Sequence, residues 1–169
     1  MASIYGFTVK GVKYFQGRDW EGCQGDIYYN GKKVGFYNDL GDGAPATIDL
    51  WVDDVERDRI NGLLQDAVNK YYKRFPLEEE YARLEPDAEM FIAKLIGLTE
   101  DEKEYKKFRK QIFEKTGNHP AVIAFYTRHK PFGSFMQVIK SDEDAEKLKT
   151  DENYSQVRIY KSPDDFIIK

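Results

Sequence analysis

Asp26-Ile27-Tyr28-Tyr29-Asn30-Gly31-Lys32-Lys33-Val34-Gly35-Phe36-Tyr37 is the stretch that decides how this chain folds. Two runs rich in aromatic and β-branched residues flank Asn30-Gly31. Both turn residues tolerate positive φ, so the stretch predicts a β-hairpin closed by a two-residue turn. On its N-terminal side Ile4-Tyr5-Gly6-Phe7-Thr8-Val9 alternates and continues through Val12 to Phe15, predicting one strand that ends at a turn over Gln16-Gly17-Arg18-Asp19. On its C-terminal side residues 38–45 read as a loop and Thr47-Ile48-Asp49-Leu50-Trp51-Val52 as a fourth strand.

Beyond the strands the hydrophobic period lengthens to three and four residues. Asp53 with Glu56 forms a capping box, and Ile60, Leu63, Leu64, Ala67, Val68, Tyr71 and Phe75 make one apolar stripe that Pro76 terminates. A second helix is expected with Pro86 at its first position and Phe91, Ile92, Leu95 and Ile96 on its inner face. Thr99 and Glu102 predict a separate third helix, with Tyr105, Phe108 and Ile112 inward and Gly117-Asn118 at its end. The period then shortens again. Residues 121–127 form a near-continuous apolar run, as a central strand would, followed by a turn at Pro131-Phe132-Gly133 and a strand over 135–139. Ser141 caps a short helix through Lys149, residues 156–160 form a last strand, and Phe166-Ile167-Ile168 suggests an edge strand or a docking tail. Segregated runs of this kind predict an α+β fold: an N-terminal antiparallel sheet of four strands, central helices, and a C-terminal β-β-α-β arrangement. The expected organisation is one compact domain over 1–169, with 1–75 and 76–169 as its natural subdivision.

Composition narrows the setting. With 169 residues and 41% hydrophobic content the chain can bury a core without disulfides or metals. Cys23 is the only cysteine, so no internal disulfide forms, which favours a reducing compartment. The opening Met1-Ala2-Ser3-Ile4-Tyr5 lacks the basic start and apolar stretch of a signal peptide, and no run approaches membrane-spanning length. A cytoplasmic protein without a membrane partner is expected. The net charge of −4 is unevenly spread: residues 1–102 are strongly acidic, whereas 103–130 hold eight Lys and Arg against two acids.

That basic segment is the first candidate site. Lys103, Lys106, Lys107, Arg109, Lys110, Lys115, Arg128 and Lys130 could neutralise phosphates of RNA or DNA, and Tyr126 could stack an unpaired base. The competing reading is a solvated helix face, since Glu102 and Lys106 are spaced to pair. A second candidate is the aromatic set Tyr14, Phe15, Trp20, Tyr28, Tyr29, Phe36, Tyr37 and Trp51. Rings at consecutive strand positions face opposite sides, so one face displays them, and Trp20, Tyr28, Tyr29 and Tyr37 are the expected protein-binding anchors.

Catalytic patterns are thin. His119 and His129 flank one predicted strand and lie too far apart along it to share a metal. Cys23 has no ligand spacing around it and reads as a small buried hydrophobe. The carboxylate groups Asp49/Asp53/Asp54, Glu78/Glu79/Glu80 and Asp142/Glu143/Asp144, and Asp87 and Glu89 ahead of Lys94, echo metal-dependent nucleases without a convergent pattern. Gly41-Asp42-Gly43 lacks the third glycine and the Lys-Ser/Thr of a phosphate loop. No cofactor or metal is implied, and an enzyme, if this is one, would be a nuclease acting on RNA.

Residues 11–22 (GVKYFQGRDWEG) and 28–35 (YYNGKKVG) resemble a class of short uncharacterised proteins from phages and integrative elements of Gram-positive bacteria. The resemblance covers about the first fifty residues. It implies a mobile-element, anti-defence role of the anti-CRISPR type and carries no catalytic motif. Together these readings predict a non-catalytic protein-binding protein that inhibits a bacterial defence nuclease. The alternatives are a nucleic-acid-binding module built on 103–115, or a small nuclease. A homodimer through an uncovered sheet edge is compatible with either.

Overall fold

Two-residue turns in the left-handed region set up the N-terminal sheet. The computed structural model describes residues 1–77, 81, 83–120, 122–130 and 132–169. Its first five strands are β1 (Ser3–Ile4), β2 (Phe7–Gln16), β3 (Glu21–Tyr29), β4 (Lys32–Asp39) and β5 (Thr47–Leu50). The predicted hairpin is present: Tyr29 pairs with Lys32 around Asn30 (φ 47°) and Gly31 (φ 83°). Tyr5 (φ 48°) and Gly6 (φ 86°) repeat this geometry, so Ile4 pairs with Phe7 and the single strand expected over 4–15 is in fact two. A Tyr at positive φ is uncommon, and the sequence signal there was correspondingly weak.

The helices correct the sequence reading in one respect. The first, α1 (Asp54–Arg74), is capped as expected, with the Glu56 N–H donating to Asp53 Oδ1 at 2.9 Å. The next, α2 (Ala88–Thr116), is one helix of 29 residues where two were predicted. Asp87 starts it by accepting the Met90 N–H at 2.8 Å, which leaves Pro86 ahead of the helix rather than in its first turn. Thr99 does not cap anything: its hydroxyl donates back to the Leu95 carbonyl at 2.8 Å, and Glu102 pairs forward with Lys106 at 2.6 Å. A Thr-x-x-Glu spacing serves a cap and a helix interior equally well, which is why the pattern misled. The remaining elements are β6 (Ile123–His129), β7 (Phe132–Val138), α3 (Asp142–Thr150), β8 (Tyr154–Tyr160), a 3-10 turn (Pro163–Phe166) and β9 (Ile167–Ile168).

The chain divides into two compact units. The first comprises residues 1–100 and 167–169 and is built on a six-stranded sheet of order β5-β4-β3-β2-β1-β9, antiparallel except for the β1–β9 pair. Phe7, Val9, Ile27, Val34 and Tyr37 of this sheet form one core with Ile60, Leu64, Ala67, Val68 and Tyr72 of α1 and with Phe91, Ile92, Leu95 and Ile96 of α2. Phe91 stands edge-on to Phe7 at 6.0 Å and to Tyr71 at 5.9 Å, the geometry that aromatic quadrupoles prefer.

The second unit, residues 101–166, carries a three-stranded antiparallel sheet of order β7-β6-β8, so the predicted central strand is central. Ser141 caps α3 as expected, accepting the Asp144 N–H at 3.2 Å. Four rings pack on one side: Tyr105, Phe125, Tyr160 and Phe166, with Tyr160 and Phe166 stacked at 4.3 Å. Ala124, Ile139 and Leu148 form a separate apolar cluster with Ala145, Val157 and Ile159. Asp101 ties α2 to β8 inside this unit. Its Oδ2 accepts from Arg158 Nε at 2.6 Å and from the Tyr160 hydroxyl at 2.6 Å, and its Oδ1 accepts from Arg158 Nη2 at 3.0 Å.

Burial holds several phenols neutral. It pushes Tyr72 from its ordinary 10 up to about 12, with smaller contributions from Tyr71 and Asp87, and it raises Tyr37 and Tyr160 as well. A phenol whose proton is held more tightly in the folded state stabilises that state fully below pH 10, and the contribution fades as pH climbs through the folded value. Titration of the 295 nm phenolate absorbance is therefore expected in two phases. The buried group, Tyr72 among it, should ionise only at the higher pH, as ellipticity is lost near 12. A single phase at 10 with the fold intact would contradict this burial. No helix among the described residues is long and apolar enough to cross a membrane.

Candidate functional site

The pleat sorts the N-terminal aromatics by parity. Asp26 pairs with Phe36 and Phe36 with Asp49, while Tyr28 pairs with Thr8 and Lys33, so these side chains share the face opposite the core. On that face Lys10 Nζ sits 4.2 Å from the Tyr28 ring centroid. Lys33 Nζ lies 2.8 Å from Asp26 Oδ1 and 4.5 Å from the Trp51 ring. Trp51 in turn stacks on Phe36 at 5.6 Å with a 9° interplanar angle, yet remains 58% exposed. The result is a row of rings and cations in mutual contact.

Trp20 occupies a different place. It is 52% exposed in the β2–β3 turn, at the opposite end of β3 from Tyr28 and therefore roughly 25 Å away at the rise of a strand. Backbone bonds hold that turn to the β4–β5 loop: the Asp19 and Trp20 N–H groups both donate to the Gly41 carbonyl, at 2.8 and 3.1 Å. Gly17 and Gly41 are required here, because a Cβ on either would lie 2.5 Å from a backbone oxygen. The loop glycines thus shape a support for Trp20.

Two of the four expected anchors are corrected. Tyr37 is 2% exposed and belongs to the core, and Tyr29 packs on Phe7 at 4.8 Å on the same side. Odd and even positions were indistinguishable until the register was known. Trp20 and Tyr28 keep their place at the surface, and Trp51 and Phe36 join them.

The basic segment is less free than its composition suggested. Lys106 pairs with Glu102, Lys107 with Glu104 at 3.5 Å and Lys110 with Glu114 at 3.8 Å, all along α2. Lys103 and Arg109 share this helix, Lys115 lies in its last turn, Arg128 is in β6, and Lys130 follows it in the hairpin turn with its N–H on Asn153 Oδ1 at 3.1 Å. The segment is thus divided between α2, where Lys103, Lys106, Lys107 and Lys110 recur at three- and four-residue steps, and β6.

Groups suited to catalysis are engaged elsewhere. The Cys23 thiol is pushed up, first by burial and then by the carboxylates of Asp39 and Glu21, which opposes thiolate formation. His119 stacks on Phe113 at 4.4 Å, and His129 pairs with Phe132 in the β6–β7 hairpin. Asp53 caps α1, Asp54 binds Arg57 at 2.6 Å, and Glu143 binds Lys147 at 3.1 Å. Asp87 caps α2; the Glu78–Glu80 run lies outside the described residues. Gly41 and Gly43 adopt positive φ in the loop between two strands. Among the described residues no three His, Cys, Asp or Glu side chains are placed to hold a metal ion. Comparison with protein-family models, with curated proteins and with solved structures finds no match.

Proposed function

We propose that this chain is a non-catalytic protein-binding protein that docks through the outer face of its six-stranded sheet. The observation that supports this reading is Trp51, more than half exposed yet held between Phe36 and Lys33. Exposed tryptophans are the side chains most often found at the centre of protein interfaces. A ring already immobilised by stacking loses little side-chain entropy on binding, so more of its contact energy appears as affinity.

The partner class follows from charge and from the resemblance at residues 11–22 and 28–35. Residues 1–102 hold 12 Lys and Arg against 20 Asp and Glu, and a net-acidic body is complementary to the basic channel of a nucleic-acid enzyme; such complementarity accelerates encounter. The reading is therefore an inhibitor, carried by a mobile element, of a bacterial defence nuclease.

The test is interference in cells. A host whose RNA-guided nuclease destroys an incoming plasmid should regain transformation when it expresses this protein. Trp51→Ala should lower that rescue, with a loss of about 2 kcal/mol or more in binding, roughly 30-fold. Since Trp51 is exposed, the variant should melt like the parent. Failure to rescue against a panel of such nucleases would refute the partner class, and rescue indifferent to Trp51→Ala would refute the surface.

A further inference from the structure

The second unit carries an aromatic sheet face of its own, separate from the surface assigned above. In the β6–β7 pair Tyr126 stands opposite Phe135 and Arg128 opposite Gly133, and β8 places Tyr154 opposite Arg128. The side chains of Tyr126, Arg128, Phe135 and Tyr154 project to one side of the sheet. Tyr126 stacks with Phe135 at 5.9 Å and 21°, and meets Tyr154 edge-on at 5.2 Å. Gly133 makes this possible, because a Cβ there would come within 3.2 Å of the Phe135 ring. Phe135 keeps 37% of its surface exposed.

Polar groups border the rings on two sides. The Tyr126 hydroxyl donates to Gln137 Oε1 at 3.2 Å, and beyond Gln137 and Tyr154 a cleft against α3 is lined by Asp144, Lys147, Leu148 and Asp151. Arg128 lies at the other end of the ring row, and its buried Nε has no acceptor among the described residues.

We propose that this face binds single-stranded nucleic acid, with a base on Phe135 and Tyr126, its edge toward Gln137, and a phosphate at Arg128. Three considerations select this occupant. Stacked rings of this kind accept any exposed base face, which a duplex does not offer. A guanidinium beside them matches a phosphate in charge and fork geometry. The acids in the first turn of α3, Asp142, Glu143 and Asp144, repel phosphate, which directs the backbone along the hairpin end where Arg128 and Lys130 lie. The basic residues of α2 are not required.

The experiment is fluorescence anisotropy on the full chain with labelled 12-mers of oligo(rU) and oligo(dT) and a mixed-sequence duplex, at 50 and 200 mM salt. Both single strands should bind, with the duplex at least ten-fold weaker. Phe135→Ala should weaken single-strand binding about ten-fold, and Phe135→Tyr, which keeps the ring, should restore it. Arg128→Gln should lower the salt slope by about one. Val55→Ala, at an exposed position of α1 in the first unit, should leave binding unchanged. Absence of single-strand binding at low salt would overturn the proposal. So would binding that ignores Phe135→Ala but collapses with Lys106→Glu and Lys107→Glu, which would move the nucleic acid to α2. A Phe135→Ala variant that failed to fold would leave the Arg128→Gln slope to decide.

Discussion

Replacing Phe91 with alanine is expected to cost about 4 kcal/mol, enough to leave the first unit close to unfolded. Phe91 is fully buried and sits where the sheet, α1 and α2 meet, with Phe7 and Tyr71 edge-on to its ring. Truncation removes the ring's burial and leaves a cavity whose walls belong to three different elements, so collapse around it is incomplete. Both tryptophans, Trp20 and Trp51, lie in this unit, and its unfolding can therefore be followed separately by their emission. The midpoint of the urea transition read by tryptophan fluorescence should fall sharply. A shift worth less than about 1 kcal/mol would mean that Phe91 is not at the junction described.

Asp101→Ala should destabilise the second unit by about 2 kcal/mol, chiefly through the buried Tyr160 hydroxyl. The carboxylate accepts three hydrogen bonds, two from the Arg158 fork and one from the Tyr160 hydroxyl. Its removal leaves the buried Tyr160 phenol without its acceptor, while Arg158, whose side chain is 46% exposed, falls back on water. Asp101→Asn, which keeps an acceptor oxygen, should cost less. Because this unit contains no tryptophan, far-ultraviolet ellipticity should move while the tryptophan transition stays near its parent midpoint. Equal stability of the Ala and Asn variants with the parent would show that the cluster is solvated and contributes little.

Much of the architecture was legible because local chemistry and tertiary structure agree. Asn30-Gly31, Asp53 with Glu56, and Ser141 each specify their turn or cap through short-range bonds that need nothing from the rest of the chain. The failures share a cause. Thr99 satisfies its hydroxyl within the helix or at a cap with the same neighbours, and in α2 the residues before it, Leu95 and Ile96, and Tyr105 after it are buried, each within its own unit. Tyr5-Gly6 makes a hairpin turn from a residue type that rarely adopts positive φ. The candidate surfaces were legible as composition but not as membership. Phe36 and Tyr37 are adjacent rings of similar size, and which of them faces outward is decided by the pairing of Phe36 with Asp26 and Asp49 on the neighbouring strands. Asp101 gave no signal, because its partners lie 57 and 59 positions away.

The β1–β9 pair has a kinetic side. Ser3 opposite Ile167 and Ile4 opposite Ile168 close a loop of about 160 residues with two short strands and the Tyr5 N–H bond to the Ile168 carbonyl. The β2–β3–β4 meander forms from neighbours in sequence, so its closure entropy is small and it can assemble early. Closing so long a loop costs more entropy than closing the turns of the meander, so the sixth strand is expected to join after β2–β4, by a search rather than a zipper.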